Sequence, residues 1–201
     1  MKLGLFGGTF NPVHNGHLTI ASGFMQALGL DRVLFIPTAL PPHKQAQDLA
    51  SEEDRVKMLR LAVEPFDGFE ISDMELRRKG KSYTFDTVTH CRRQYPGEEL
   101  FLIVGSDMFL TFHEWYRYRE ILGMVTLCGT ARTHGDNFDV METYAREVLG
   151  LSVGAFFVKS FDIFPVSSSE IRENVKKRAG ITGMTPEKVE QYIKEKRLYL
   201  D

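Results

Sequence analysis

A chain of 201 residues, 43% hydrophobic and 26% charged, has the make-up of a globule with room for one sizeable core. Its net charge of -2 argues against a protein whose main work is gripping DNA or an anionic membrane, and leaves open a local basic pocket for a small phosphate ligand. The two cysteines, Cys91 and Cys128, belong to no C-x-x-C and fit a reducing cytoplasm better than a disulfide framework. Leu3-Gly4-Leu5-Phe6 reads as a short buried strand stopped by Gly7-Gly8, too quickly broken for a signal peptide or a membrane span. From His17 to Leu28, apolar residues at helical spacing (Leu18, Ala21, Phe24, Met25, Leu28) predict a helix ended by Gly29. Val33 to Ile36 follows as a second strand closed by Pro37, completing a β-α-β unit.

Residues 39–50 read as a loop containing Pro41-Pro42. Ser51 and Asp54 predict a capped helix reaching about Glu64, and Phe69-Glu70-Ile71 a short strand. Arg77 to Lys81 forms a basic turn, and Ser82 or Thr84 caps a helix to Tyr95. Three further buried strands are expected at 100–104, 125–128 and 156–158. Ser168 or Ser169 then caps a helix to about Lys177, and Pro186 opens a last helix from its first turn. The alternation predicts an α/β doubly wound parallel sheet. One domain over 1–201 is expected, with about 166–201 as a helical subdomain packed on the sheet.

The first strand-to-helix crossing reads Gly7-Gly8-Thr9-Phe10-Asn11-Pro12-Val13-His14-Asn15-Gly16-His17. Glycines admit close backbone approach, and a helix N-terminus offers N–H groups and partial positive charge to an anion. His14 and His17, three apart, can share one face there. The segment describes a phosphate site holding two imidazoles. It matches neither the P-loop nor the G-x-G-x-x-G fingerprint nor H-E-x-x-H. Zinc held by His14, His17 and His43 is the alternative, ranked below phosphate because the glycine setting serves anions.

The H-x-G-H element (His14, Gly16, His17) after a G-G-T-F-N-P turn resembles the H-x-G-H nucleotidyltransferase superfamily, and the whole string resembles its bacterial nicotinate-nucleotide adenylyltransferase family. Later segments agree in order: Pro41-Pro42-His43-Lys44, Ser82-Tyr83-Thr84-Phe85-Asp86-Thr87, Gly105-Ser106-Asp107, Trp115, and Ser167-Ser168-Ser169-Glu170-Ile171-Arg172. The resemblance implies a Rossmann-like sheet and transfer of AMP from ATP to nicotinate mononucleotide, in the cytoplasm. It implies ATP contacts at Gly7, Gly8, Thr9, Phe10, His14, His17, Lys44, Gly105, Asp107, Ser168, Ser169 and Arg172, with His14 and His17 catalytic. Tyr83, Thr84, Trp115 and Arg132 would meet the mononucleotide. The chain departs from the family at Arg132-Thr133-His134-Gly135, where Arg-Pro-Gly is usual, and at Val166 and Ser169, which flank the serines in place of isoleucine and threonine.

A phosphate nucleophile is already an oxyanion, its second pKa being about 6, so no general base is required. The difficulty is charge, which positioned donors relieve. Mg²⁺ is expected to travel on the ATP phosphates, largely hydrated, without a dedicated protein cluster. The partners expected are the two small substrates, with no nucleic acid and no membrane, and the oligomeric state is left open. Two other expectations compete: a phosphopantetheine adenylyltransferase of the same superfamily, and a non-catalytic nucleotide-sensing module.

Overall fold

The computed structural model describes residues 1–38, 49–78, 82–131, 138–162 and 165–200. Within them lie strands β1 (Lys2–Gly8), β2 (Arg32–Pro37), β3 (Phe69–Ile71), β4 (Glu99–Gly105), β5 (Thr126–Ala131) and β6 (Phe156–Ser160). All pair in parallel, in the spatial order β3-β2-β1-β4-β5-β6. This is the doubly wound α/β sheet that the alternation predicts. The helices are α1 (Asn15–Leu28), α2 (Glu52–Val63), α3 (Met74–Arg77), α4 (Thr84–Gln94), α5 (Ser106–Phe109), α6 (Tyr118–Leu122), α7 (Phe138–Glu147), α8 (Ser168–Lys176) and α9 (Glu187–Glu195), with a 3-10 turn at Phe112–Glu114.

The central strands β1, β2 and β4 read as near-continuous apolar runs because both faces of the sheet are covered there. Alternate residues divide between two cores. Phe6, Val33, Phe35, Phe101 and Ile103 meet Phe24, Met58, Leu59, Ile171, Val189 and Ile193. Leu3, Leu5, Leu34, Leu102 and Val104 meet Val88, Phe109, Ile121, Met141 and Ala145 on the other face. Helices α8 and α9 thus share a core with α1 and α2 instead of building their own. At the close of β5, Gly129 is required by crowding: a Cβ there would lie 2.4 Å from the Met141 and Phe109 side chains. Among the described residues no helix is long and apolar enough to cross a membrane.

Helix ends account for most of the differences from expectation. Helix α1 begins at Asn15, two residues before His17, and Gly29 closes it in the left-handed conformation. Ser51 caps α2, accepting from the Asp54 N–H at 3.0 Å as expected. Helix α4 is capped by neither Ser82 nor Thr84. Its N-cap is Tyr83, which makes no side-chain cap bond, and the Ser82 hydroxyl instead accepts from Arg78. Ser167, not Ser168 or Ser169, caps α8, accepting from the Glu170 N–H at 3.1 Å, because the Ser168 hydroxyl is drawn to the Pro12 carbonyl. Pro186 occupies the N-cap of α9 rather than its first turn, with ψ at 144°. Helix α7 escapes the sequence pattern: it buries only Met141 and Ala145, too narrow a stripe to stand out. The expected loop at Pro41-Pro42 and most of the basic turn to Lys81 lie outside the described residues.

Candidate active site

Strand β1 pairs with β2 as far as Gly8↔Pro37, but with β4 only as far as Phe6↔Ile103. The two central strands therefore part at their C-terminal ends. That opening lies where the strand order reverses, the usual ligand crevice of such sheets. Gly7 and Gly8 stand on one side of it and Gly105 on the other. Gly7 is exposed, and a Cβ built on it meets nothing within 4 Å. Gly105 is the N-cap of α5, and the Asp107 carboxylate leans over it, 2.9 Å from where a Cβ would sit.

From Gly8 the chain turns through Thr9 and Phe10 and a cis Asn11–Pro12 bond. Phe10 has φ 47°, a conformation that costs a non-glycine residue roughly 1–3 kcal/mol. Burial of its ring offsets that cost: it is 2% exposed, edge-on to Phe6 at 5.8 Å and to His17 at 5.1 Å.

The loop's carbonyls are taken up by the protein behind it. Arg55 Nη1 donates to Thr9 O at 2.9 Å and to Thr38 O at 2.7 Å. Arg172 Nη1 donates to Asn11 O at 2.9 Å, Ser168 Oγ to Pro12 O at 2.8 Å and Thr185 Oγ1 to Val13 O at 2.8 Å. The Asn11 side-chain oxygen accepts from the Ala50 N–H and from the Tyr199 hydroxyl. The C-terminal helices thus pin the loop from below.

His14 is the N-cap of α1 and His17 its third residue. The rings stack with centroids 3.6 Å apart and planes at 26°. His17 Nδ1 accepts the His14 backbone N–H at 3.2 Å, the place glutamate or glutamine takes in a capping box. In the neutral ring the proton then resides on Nε2, which makes that atom the donor.

At the start of α4, Tyr83 and Tyr116 are exposed and lie 4.7 Å apart, with Phe85 edge-on to Tyr116 at 6.1 Å. Arg117 lies over Phe85 at 3.8 Å. Trp115 is half-buried against Phe112, ring centroids 4.7 Å apart.

Of the expected site residues, Gly7, Gly8, Thr9, Phe10, His14 and His17 gather at the end of β1, with Ser168 and Arg172 bonded to the same loop. Gly105 and Asp107 face them from β4 and α5. Tyr83, Thr84 and Trp115 belong to the α4 start and the turn before α6. Lys44 and Arg132 lie outside the described residues, as does His43, the third ligand of the zinc alternative. Among the described residues no group of three His, Cys, Asp or Glu is placed to hold a metal. The Arg172 guanidinium donates to Asn11 O and, at 3.3 Å, to Ser169 Oγ.

Sequence patterns missed Arg55, Thr185, Tyr199 and Tyr116. Arg55 did leave a signal. It shares a helical stripe with Met58, Leu59 and Ala62, and a cation on an apolar stripe is out of place unless it has buried work to do. It is fully buried, and burial pushes its pKa below the ordinary guanidinium value.

Fold and loop together define a doubly wound α/β protein with paired imidazoles on the loop at its β1–β4 opening. Residues 5–174 match the cytidylyltransferase-like family. The chain is 37% identical over 198 residues to the nicotinate-nucleotide adenylyltransferase of Bacillus subtilis, covering 98% of each chain. It is 41% identical over 212 residues to a protein named for the same activity in Pelobacter propionicus, covering 99% of this chain and 98% of the relative. In structure it resembles the Plasmodium falciparum nicotinic acid mononucleotide adenylyltransferase complexed with NaAD, at TM-score 0.81 and 15% identity, over 98% of this chain and 97% of that one. The chain belongs to the cytidylyltransferase-like family, among its nicotinate-nucleotide adenylyltransferases.

Proposed function

We infer that this protein transfers the AMP part of ATP to nicotinate mononucleotide, releasing pyrophosphate and forming nicotinate adenine dinucleotide. The observation that carries this is the loop at the β1–β4 opening, tied down through its carbonyls and ending in the His14–His17 stack. A rigid loop with its acceptors consumed on one side suits an anion on the other.

In the reaction, an oxygen of the acceptor's 5'-phosphate forms a bond to the α-phosphorus of ATP as the bond from that phosphorus to the pyrophosphate oxygen breaks. No proton has to be removed from the nucleophile. His17 and His14 would donate to the α-phosphate oxygens as charge develops. Gly7, Gly8, Thr9 and Phe10 would admit the phosphates, and Gly105 and Asp107 would meet the adenosine. Ser168, Ser169 and Arg172 would support the phosphate end through the loop they hold, with Lys44 as a further cation. Tyr83, Thr84 and Trp115 would receive the nicotinate ring, with Arg132 at its phosphate. Magnesium carried by the ATP phosphates would neutralise charge on the departing pyrophosphate.

Pyrophosphate release from ATP tests this reading against three acceptors: nicotinate mononucleotide, nicotinamide mononucleotide and phosphopantetheine. Fastest release with the first is expected. Release with phosphopantetheine alone, or ATP binding with no turnover, would overturn it.

Gly7 offers a second check. The fold itself leaves space for a side chain there, and its φ is not positive, so Gly7→Ala should melt at or slightly above wild type, alanine being stabilising by about 0.4–1 kcal/mol at permissive sites. Its methyl would nevertheless occupy the open end of β1, and ATP affinity measured by calorimetry should fall roughly tenfold or more. Wild-type affinity in the variant would move the phosphate away from this strand end.

A further inference from the structure

Between α3 and α4 runs a polar chain that the reaction as described does not use. Glu75 is 5% exposed, and its Oε1 accepts from the Thr87 hydroxyl at 2.6 Å. Arg78 Nη1 donates to Ser82 Oγ at 2.8 Å and to Thr87 Oγ1 at 3.3 Å. Burial pushes the Glu75 carboxyl above its ordinary range, and the Thr87 hydrogen bond and the Arg78 charge pull it back. A buried carboxylate is costly, and here it serves to anchor a neighbouring cation.

The place of that cation is informative. Ser82 comes just before the N-cap Tyr83 and Thr87 lies in the first turn of α4, so Arg78 brackets Tyr83-Thr84 from both sides. The Asp86 and Thr87 N–H groups both bond Tyr83 O. Among the described residues nothing accepts from the N–H groups of Thr84 and Phe85, as is usual for a helix start. The helix therefore begins with open donors, partial positive charge and a full positive charge bonded to either flank.

We propose that Arg78, anchored through Thr87 and Glu75, is a positioning residue that makes this site prefer an acceptor bearing a carboxylate over one bearing a neutral amide. The proposal rests on the assignment of the α4 start to the acceptor ring. The physical reason is selectivity of field: a fixed cation beside a helix N-terminus lowers the energy of an anion there and does little for a neutral amide. The two bonds of Arg78 also hold the donors in place, so the carboxylate meets them without reordering.

The test is steady-state kinetics of Arg78→Gln, Arg78→Lys and wild type with nicotinate and nicotinamide mononucleotides, with KM for ATP and thermal melting measured alongside. In Arg78→Gln, KM for the nicotinate substrate should rise roughly tenfold, while KM for ATP and kcat/KM with the amide stay within about twofold. Arg78→Lys should recover most of the preference. Should Arg78→Gln fail to fold, Ser82→Ala, which removes one of the two bonds, should lower the preference several-fold. A folded Arg78→Gln, or in its absence a folded Ser82→Ala, with an unchanged ratio between acceptors overturns the proposal. So does an equal loss with both acceptors. Failure of the functional reading is seen separately, as wild type inactive with nicotinate mononucleotide.

Discussion

Replacing His17 with glutamine is expected to lower kcat by roughly 10²–10³ while leaving the fold intact, the loss typical of a removed oxyanion donor. The His17 ring has two separable duties. Its Nδ1 accepts the His14 N–H and so helps to start α1. Its Nε2–H would donate to a phosphate oxygen in the proposed reaction. Glutamine in the third helical position can still serve the cap, so His17→Gln removes the second duty and spares the first. His17→Ala removes both, and should melt about 1 kcal/mol less stable in addition to losing turnover. A donor that acts as charge develops contributes little to ground-state binding, so KM for ATP should change far less than kcat. Rapid-quench turnover and thermal melting of both variants decide the matter. A folded His17→Gln enzyme with wild-type turnover would falsify the donor role.

Removal of Arg55 should have the largest effect on stability. This side chain is fully buried, and one nitrogen serves two carbonyls, Thr9 O on the loop after β1 and Thr38 O just past β2. Arg55→Ala leaves both without that donor, at about 1–3 kcal/mol each, and opens a cavity. Against this, the cost of keeping a cation from water is relieved. The net loss should be about 2–4 kcal/mol, a melting point roughly 5–15 °C lower in a chain of this size. Arg55→Met fills the space and drops the charge, so its melting point should fall less, yet kcat/KM for ATP should fall about tenfold because Thr9 O has lost its hold. Scanning calorimetry with kinetics on the two variants separates packing from positioning. If Arg55→Met kept full activity, Ser168, Arg172 and Thr185 would suffice to hold the loop.

The two predictions meet in one physical picture. In the proposed reaction the imidazoles would supply donors, and the buried residues would keep the loop bearing those donors from relaxing. Arg55 reaches the loop from α2. Thr185 and Tyr199 reach it from either side of α9, and burial pushes the Tyr199 hydroxyl's pKa up. Loss of any one pin should therefore weaken positioning more than it weakens binding of the nucleotide as a whole.

Much of this was legible locally. The central strands announced themselves as apolar runs because a parallel sheet buried on both faces needs no polar alternation. The Gly7–His17 segment could be recognised because turn, helix start and imidazole spacing lie within eleven consecutive residues. Ser51 and Gly29 marked the ends of their helices by their own chemistry. Helix α7 stayed hidden because only two of its side chains are buried, and α3, α5 and α6 because four or five residues are too few to show a period. The cap was expected at Ser168 or Ser169 instead of Ser167 because three serines in a row offer equal caps. Only contact with Pro12 O singles out Ser168 for another task.

The amino-acid sequence by itself determined the layered parallel fold and the chemistry of the first loop, since both follow from neighbours along the chain. Tertiary structure alone decided what holds that loop still. Tyr199 bonds Asn11 across 188 positions and Thr185 bonds Val13 across 172. Arg172 bonds the carbonyl of Asn11 across 161. Such pairings carry no periodicity and no local motif. They arise because buried carbonyls must find donors, and the donors nearest in space come from the far end of the chain.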